Sequence, residues 1–309
     1  MRELVLGGIA SRTGSTEFKA ISQYTIKGTV LTALKPEPAL YLAATPIGNL
    51  GDVTLRVLET LAGADLVACE DTRVTGKLLR HFGIKNKTIS YHEHNADTVG
   101  PELIDAVASG KAVVVVSDAG TPLVSDPGFR LVGAAQAKGV RVVPLPGASA
   151  PLAGLVASGL PNESWTFCGF LPSKQGARVT TLQAEVNSAS TLIYFESPNR
   201  LTKTLDDMTR VFGKGRRACV ARELTKLHEE IATDTLETLS LHFASKQVKG
   251  EIVILIAPET RAQILDIESL LLELLQTMPV SKAAAEAATL TGQSKRDLYQ
   301  LALSLKDND

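Results

Sequence analysis

One loop in this chain has a composition that narrows its chemistry before any fold is considered. It is SDAGTPLVSDPG, residues 117–128, and it follows four consecutive valines, Val113–Val116. It holds two carboxylates, Asp118 and Asp126, two glycines and two prolines, with no lysine or arginine. A phosphate cradle would use G-x-x-x-x-G-K-[ST], or G-x-G-x-x-G ahead of a helix, and neither is present. The loop suits a ligand whose ribose hydroxyls want a carboxylate and whose adenine edge wants the backbone groups that glycine and proline turns expose. A positive centre on that ligand would favour an anionic, carbonyl-rich wall. S-adenosylmethionine unites a ribose, an adenine, a sulfonium and an amino-acid end, and it fits better than NAD or ATP. Plain turn formation accounts for the same glycines and prolines, and Asp126 also fits as the cap of a helix beginning at Pro127.

Other charged clusters follow apolar runs. EDTR, residues 70–73, places Glu70 directly after a largely apolar stretch, where a strand would end. His92 and His94 alternate in YHEHN, so on a strand they would share a face. No third ligand of suitable type is near them, and no metal is expected; a polar rim touching substrate is the better reading. FESPNR (195–200) and ARELTKLHEE (221–230) repeat the theme of an apolar strand followed by charged groups. Arg73, Lys77, Arg80, Lys85 and Lys87 form a basic patch beside the first crevice, equally consistent with a solvated face or an RNA contact.

Elements of known type must position these clusters. Short apolar runs recur near 40–44, 65–69, 88–91, 112–117 and 140–144, with helical patterns between them. Asp52 is expected to cap a helix over VTLRVLETLAG. Alternating strands and helices of this size predict βαβ units and a mostly parallel sheet, whose ligand crevice lies at the carboxyl ends of the strands. A turn-rich break, SGLPNES, separates this series from a second one with strands near 165–170, 191–195, 217–222, 229–235 and 250–257. After Pro258 three helical patterns follow, with Gly292 closing the second and Ser294 capping the third. The fold class expected is α/β, as two α/β domains with a ligand cleft between them and a short helical unit. The expected division is a poorly ordered extension over 1–38, domains over 39–158 and 159–258, and helices over 259–309.

The bulk properties set limits. The chain has 309 residues, is 44% hydrophobic and 21% charged, and can bury a sizeable core. Its longest apolar runs are far too short to span a bilayer, and MRELVLGGIA at the N-terminus reads as neither signal nor anchor. The three cysteines are isolated from one another, which fits reduced buried thiols in a cytoplasmic protein. A net charge of −1 excludes wholesale polyanion binding, so nucleic-acid contact would have to be local.

The ordered set LYLAATPIGNLGDVTLRVLETLAGADLVACEDTR, SDAGTPLVSDPG, VVPLPGASA, GFLPSK, FESPNR and ARELTK resembles the tetrapyrrole methylase family, in its branch acting on small-subunit ribosomal RNA. The resemblance runs from about Leu40 to the end. It implies two α/β domains, a homodimer and S-adenosylmethionine held between the domains. The branch implies methylation of the ribose 2′-hydroxyl of a cytidine in the decoding region of 16S rRNA, in the small ribosomal subunit. Tetrapyrrole-modifying members carry a G-x-G-P-G-type first loop; TPIGNLGD stands there in this chain, which favours the RNA branch. By motif, the resemblance implies cofactor contacts from Pro46 and its neighbours, Asp118, Gly120, Thr121, Ser149, Ala150, Phe170, Glu223, Thr225 and Gly250.

Methyl transfer from a sulfonium is an in-line displacement that depends on alignment, and a positioned base helps a weakly acidic hydroxyl. Glu70, Asp71, His92 and Glu223 are candidate bases, and the EDTR group is preferred. Arg73 joins Glu70 and Asp71 in the expected catalytic set, with a phosphate as its alternative partner. Lys77, His92, Asn95, Glu196 and Arg200 are expected at the substrate. Two other classes stay open: a small-molecule methyltransferase of tetrapyrrole type, and a non-catalytic assembly factor that only binds RNA. The missing glycine-rich loop counts against the first, and the strand-end polar clusters count against the second.

Overall fold

The computed structural model describes residues 20–124, 129–258, 267–291 and 294–306. The first described element is a hairpin, β1 (Ala20–Ile26) and β2 (Thr29–Leu34). Its turn residues Lys27 and Gly28 both have positive φ, 47° and 83°, the backbone a two-residue hairpin turn requires. The expectation of a poorly ordered extension over 1–38 therefore fails for this stretch; residues 1–19 lie outside the described residues. The hairpin is held by packing that its own sequence does not announce. Tyr24 and Ala33 are buried against Leu58 and Leu61 of the first helix, α1 (Leu55–Gly63). A Cβ on Gly63 would lie 2.2 Å from the Leu34 carbonyl oxygen, so the strand rests directly on the helix end.

The first sheet contains β3 (Ala39–Ala43), β4 (Leu66–Cys69), β5 (Thr88–Ser90), β6 (Ala112–Val116) and β7 (Val142–Leu145), in the order β5-β4-β6-β3-β7, all parallel. Its connections are α1, α2 (Thr72–His81), α3 (Ala96–Ala108) and α4 (Phe129–Ala137). The valine run makes the central strand because both faces are covered. Val114 and Val116 join the core under α1 and α2, while Val113 and Val115 join Leu103, Ile104 and Leu131 under α3 and α4. Each such side chain contributes about 1.5–3 kcal/mol on burial. The chain leaves β3 toward one edge and β6 toward the other. These two neighbours therefore form the topological switch point, where a crevice opens beyond the strand ends.

The cap of α1 differs from expectation. Thr54, not Asp52, accepts from the Val57 amide at 3.2 Å. Asn49 closes a short 3₁₀ turn over Leu50–Asp52 by accepting from the Gly51 amide at 2.9 Å, which uses up Asp52 before the helix starts.

Helix α5 (Ala150–Ala157) leads into the second sheet, β8 (Trp165–Phe170), β9 (Thr191–Glu196), β10 (Arg217–Arg222), β11 (Glu230–Thr235) and β12 (Ile252–Ile256). The order is β11-β10-β12-β9-β8; β8 and β9 are parallel and the other pairs antiparallel. One face carries α6 (Gln175–Ala184), α7 (Leu201–Phe212) and α8 (Leu236–Ala244) over Ile252, Ile254 and Ile256. The other face, with Val253 and Leu255, packs on Leu155 of α5 and Ile47 from the first domain. Gly154 lets α5 approach, since a Cβ there would already touch Leu255 and Val253 at 3.4 Å. The last three helices, α9 (Ile267–Leu275), α10 (Val280–Thr291) and α11 (Lys295–Lys306), share a core of their own around Leu271, Ala284, Ala287, Leu298 and Ala302. The Ser294 backbone carbonyl accepts from Asp297 and Leu298 at the start of α11. Gly292 and Asp126 lie outside the described residues. Among those residues no helix is long and apolar enough to cross a membrane.

Candidate active site

The switch point is tied across by backbone. Thr45 and Gly120 exchange both hydrogen bonds, at 2.8 and 3.0 Å, joining the loops after β3 and β6. Gly120 has φ +79°, and a Cβ there would press on Ile47 at 3.3 Å, so the position needs glycine on both counts. Above this bridge lies a cavity of about 410 Å³, roofed by the second sheet. From the first domain it is lined by Ile47, Glu70, Ser117–Thr121, Val124 and Ser149–Pro151. From the second it is lined by Phe170, Phe195–Pro198, Leu224 and Gly250–Val253. Glu70, Asp118, Glu196 and Glu251 are among the lining residues, the Glu196 carboxylate itself being turned into the core under α7, and among the described residues no lysine or arginine lines the cavity.

The carboxylates are not equivalent. Asp118 is half-buried beyond β6 and accepts from the Asp71 amide at 3.1 Å; burial raises its pKa. Glu70 is exposed at the end of β4, and its carboxylate has no hydrogen-bond or ion-pair partner among the described residues. Glu196 is fully buried. It accepts from Thr204 Oγ1 at 2.6 Å and from the Ser197 amide at 2.7 Å, and it faces Arg200 Nε at 3.2 Å. Glu251 meets Lys226 at 3.1 Å.

Several expected site residues do other work. Asp71 caps α2 through the Arg73 amide at 2.8 Å and holds the Arg73 guanidinium in a two-pronged pair, with contacts of 2.6 to 3.1 Å. The Arg73 hydrogen bond keeps the Asp71 carboxyl down at about 2. Neither residue lines the cavity. Glu223 pairs with Lys226 at 2.7 Å and accepts from the Glu251 amide at 3.1 Å; the Lys226 hydrogen bond lowers its pKa. Its carboxyl occupies the place a side chain on Gly250 would need, 2.2 Å from an added Cβ, and Gly250 has φ +91°. Thr225 sits at a left-handed φ of 66° and accepts from the Asn49 amide at 3.0 Å. Gly48 lies so close that an added Cβ would be 2.4 Å from Lys226 Cγ and 2.8 Å from Thr225 Oγ1. The 45–50 and 223–226 loops are thus a joint between the domains. Arg200 spans from Glu196 to the Leu171 carbonyl at 2.7 Å and pins the turn after β8.

The remaining expectations divide by position. Thr121, Ser149, Ala150, Phe170 and Gly250 line the cavity; Pro46 stands beside it in the chain but Ile47 takes its place on the wall. Phe170 is 60% exposed at the mouth, its ring 5.3 Å from that of Phe195. Lys77 is exposed on α2, away from the lining. Asn95 accepts from the His92 amide at 2.8 Å and donates to the Ser90 carbonyl at 2.9 Å, closing the loop after β5. The His92 and His94 rings meet edge to face at 5.8 Å, and among the described residues no three His, Cys, Asp or Glu are placed to hold a metal. Ile47 is one of the neighbours of Pro46 expected there, whereas Phe195, Leu224 and Glu251 line the cavity without having been singled out. Their signal was the position of each at a strand end.

An anionic, cation-free cavity with glycine-shaped backbone on one side and aromatic and aliphatic groups on the other fits a nucleoside carrying a positive centre. Comparison with known proteins agrees with this chemistry. The family model described as Tetrapyrrole (Corrin/Porphyrin) Methylases matches residues 39–240, and that described as RsmI C-terminal HTH domain matches residues 262–306. Ribosomal RNA small subunit methyltransferase I of Mesorhizobium japonicum is 56% identical over 282 residues, covering 90% of this chain and 96% of that protein. The protein of the same name from Pseudomonas aeruginosa is 47% identical over 271 residues, covering 85% and 96%. Among solved structures, a cobalt precorrin-4 methyltransferase superposes with a TM-score of 0.55 at 18% identity, over 71% of this chain and 94% of that one, which speaks to the fold.

Proposed function

The chain belongs to the tetrapyrrole methylase family, in its ribosomal RNA small subunit methyltransferase I group, and from that premise we propose that it methylates the ribose 2′-hydroxyl of a cytidine in the decoding region of 16S rRNA. The observation that carries the site assignment is the cavity at the switch point, with Glu70 and Asp118 on its first-domain wall and, among the described residues, no lysine or arginine lining it. S-adenosylmethionine is the cofactor, and when bound it supplies a methyl group on a sulfonium. Asp118 would accept from its ribose hydroxyls, and the Gly120 and Ala150 segments, which line the cavity, would offer backbone groups to its base. Phe170, Phe195 and Leu224 exclude water from the second-domain side.

Glu70 is the base. Its carboxylate reaches the cavity and has no internal partner among the described residues, so it is free to take the proton of the incoming 2′-hydroxyl. Asp71 is a poor base by comparison, because Arg73 holds it at about 2. Asp71 and Arg73 instead fix the start of α2, which orients Glu70 immediately before it. The partner is 16S rRNA in the small ribosomal subunit, which places the protein in the cytoplasm. A homodimer is supported by Leu152 and Val156, exposed apolar side chains on α5 at 46% and 74%.

The test supplies methyl-labelled S-adenosylmethionine and small subunits from a strain lacking this gene. Label is located by nuclease digestion and mass spectrometry, and it is expected on one ribose of a decoding-region cytidine. Absence of label in subunits, precursor particles and naked rRNA, despite cofactor binding, would overturn the RNA assignment and leave the small-molecule alternative.

A further inference from the structure

The charges of the first domain are segregated in a way its function does not yet use. From Thr72 to His92 the chain has Arg73, Lys77, Arg80, Lys85 and Lys87, and no aspartate or glutamate. Arg73, Lys77 and Arg80 follow the i, i+4, i+7 spacing of one helix face, and all are exposed. Lys85 and Lys87, also exposed, continue from the end of α2 toward β5, the edge strand of the sheet. The β1–β2 hairpin joins this surface through the Thr25 amide, which donates to the Phe82 carbonyl at 2.7 Å. Its tip presents Lys27, and the hairpin itself carries no carboxylate. Lys27, Lys77, Arg80, Lys85 and Lys87 make no ion pair among the described residues, unlike Lys35, Lys138 and Lys214 elsewhere on the surface.

We propose that the outer face of α2, the loop after it and the tip of the hairpin form a track for the phosphodiester backbone of the RNA strand that feeds the cavity. This rests on the ribosomal RNA reading above. The track starts one residue beyond Asp71, beside Glu70, and α2 carries it about 15 Å away from the mouth. Phosphates laid on it would be neutralised by Lys27, Lys77, Arg80, Lys85 and Lys87, which have no competing carboxylate among the described residues, so their counterions are released on binding, while Arg73 stays with Asp71. Backbone contact of this kind sets register and orientation, which the methyl transfer needs, and leaves base recognition to the cavity. A face kept basic only for solubility would interleave acids, as the C-terminal helices do with Glu286 and Asp297 beside Lys282, Lys295 and Arg296.

The experiment measures binding of the full chain to small subunits over a salt series, with cofactor affinity by calorimetry as the control. The triple variant Arg80→Gln/Lys85→Gln/Lys87→Gln is compared with Lys282→Gln/Lys295→Gln/Arg296→Gln. The track variant is expected to bind subunits at least 10-fold more weakly and to lose about 2 from the slope of log K against log salt, at about 0.7 per single-strand phosphate. Its cofactor affinity should stay within two-fold. Unchanged subunit affinity and slope, or a loss confined to the C-terminal variant, would overturn the track while wild-type methylation upholds the RNA reading. A wild-type chain that labels no rRNA would overturn both. If the triple variant does not fold, Arg80→Gln alone should lower the slope by about 0.7, and no change would overturn the proposal.

Discussion

The two walls of the cavity are built from similar sequence motifs and do opposite things. On the first-domain wall the charged groups are available: Glu70 has no partner among the described residues, and Asp118 holds one backbone amide. On the second-domain wall the charged groups are consumed. Glu196 serves Thr204, Ser197 and Arg200, and behind the wall Glu223 serves Lys226 and the Glu251 amide while Arg200 reaches back to Leu171. What that wall offers a ligand is shape and apolar surface, from Phe170, Phe195, Leu224 and Val253. A charge at a strand end marks a site only when nothing nearby in the fold claims it. The first domain recognises and reacts, and the second encloses.

Substitutions can break this contrast, the largest at Glu70. Glu70→Gln should slow single-turnover methylation by about 10²–10⁴-fold, with cofactor affinity nearly unchanged. A near wild-type rate would remove the free carboxylate from the chemistry. On the opposite wall, Gly250→Ala should act through structure. A Cβ would fall 2.2 Å from the Glu223 carboxyl at a φ of +91°, so a loss of about 3 kcal/mol is expected in denaturant unfolding. Glu196→Gln should cost about 2 kcal/mol by weakening a buried ionic network. It should leave RNA affinity alone, which a subunit-binding assay checks.

The smallest effect concerns Asp118 and has a defined sign. Burial raises its folded pKa, so the folded state holds the proton more tightly than the unfolded chain does, and stability falls as pH rises through the folded value. Asp118→Asn removes that cost. The variant should melt above wild type at neutral pH, and the gain should vanish as the pH is lowered and the wild-type carboxyl is protonated.

Much of the first domain was legible. Val113–Val116 reads as a buried strand, and in a parallel sheet the ligand crevice lies at the carboxyl ends of the strands, beyond β6 and β7. Asp118, Gly120, Thr121, Ser149 and Ala150, which the family resemblance implied at the cofactor, sit at those strand ends and all line the cavity. The roles of Glu196, Arg200, Glu223 and Thr225 were not legible, because each depends on a partner that only the fold brings near. Glu223 meets Glu251, and Thr225 meets Asn49, across long stretches of chain. The hairpin over Ala20–Leu34 escaped for a related reason. Its strands have weak alternation of their own and are fixed by α1 and by Phe82. The cap of α1 moved from Asp52 to Thr54 because Asn49 imposes a turn first.

The contrast between the walls comes to a single calorimetric comparison, S-adenosylmethionine titrated into Asp118→Ala and into Glu223→Gln. The account predicts at least a 10-fold loss of affinity for Asp118→Ala and less than a 3-fold change for Glu223→Gln, as charge-bearing hydrogen bonds to a ligand are worth about 1.5–3 kcal/mol and internal ones leave the ligand untouched. Full affinity in Asp118→Ala with a large loss in Glu223→Gln would contradict it, and would move ligand recognition to the second domain.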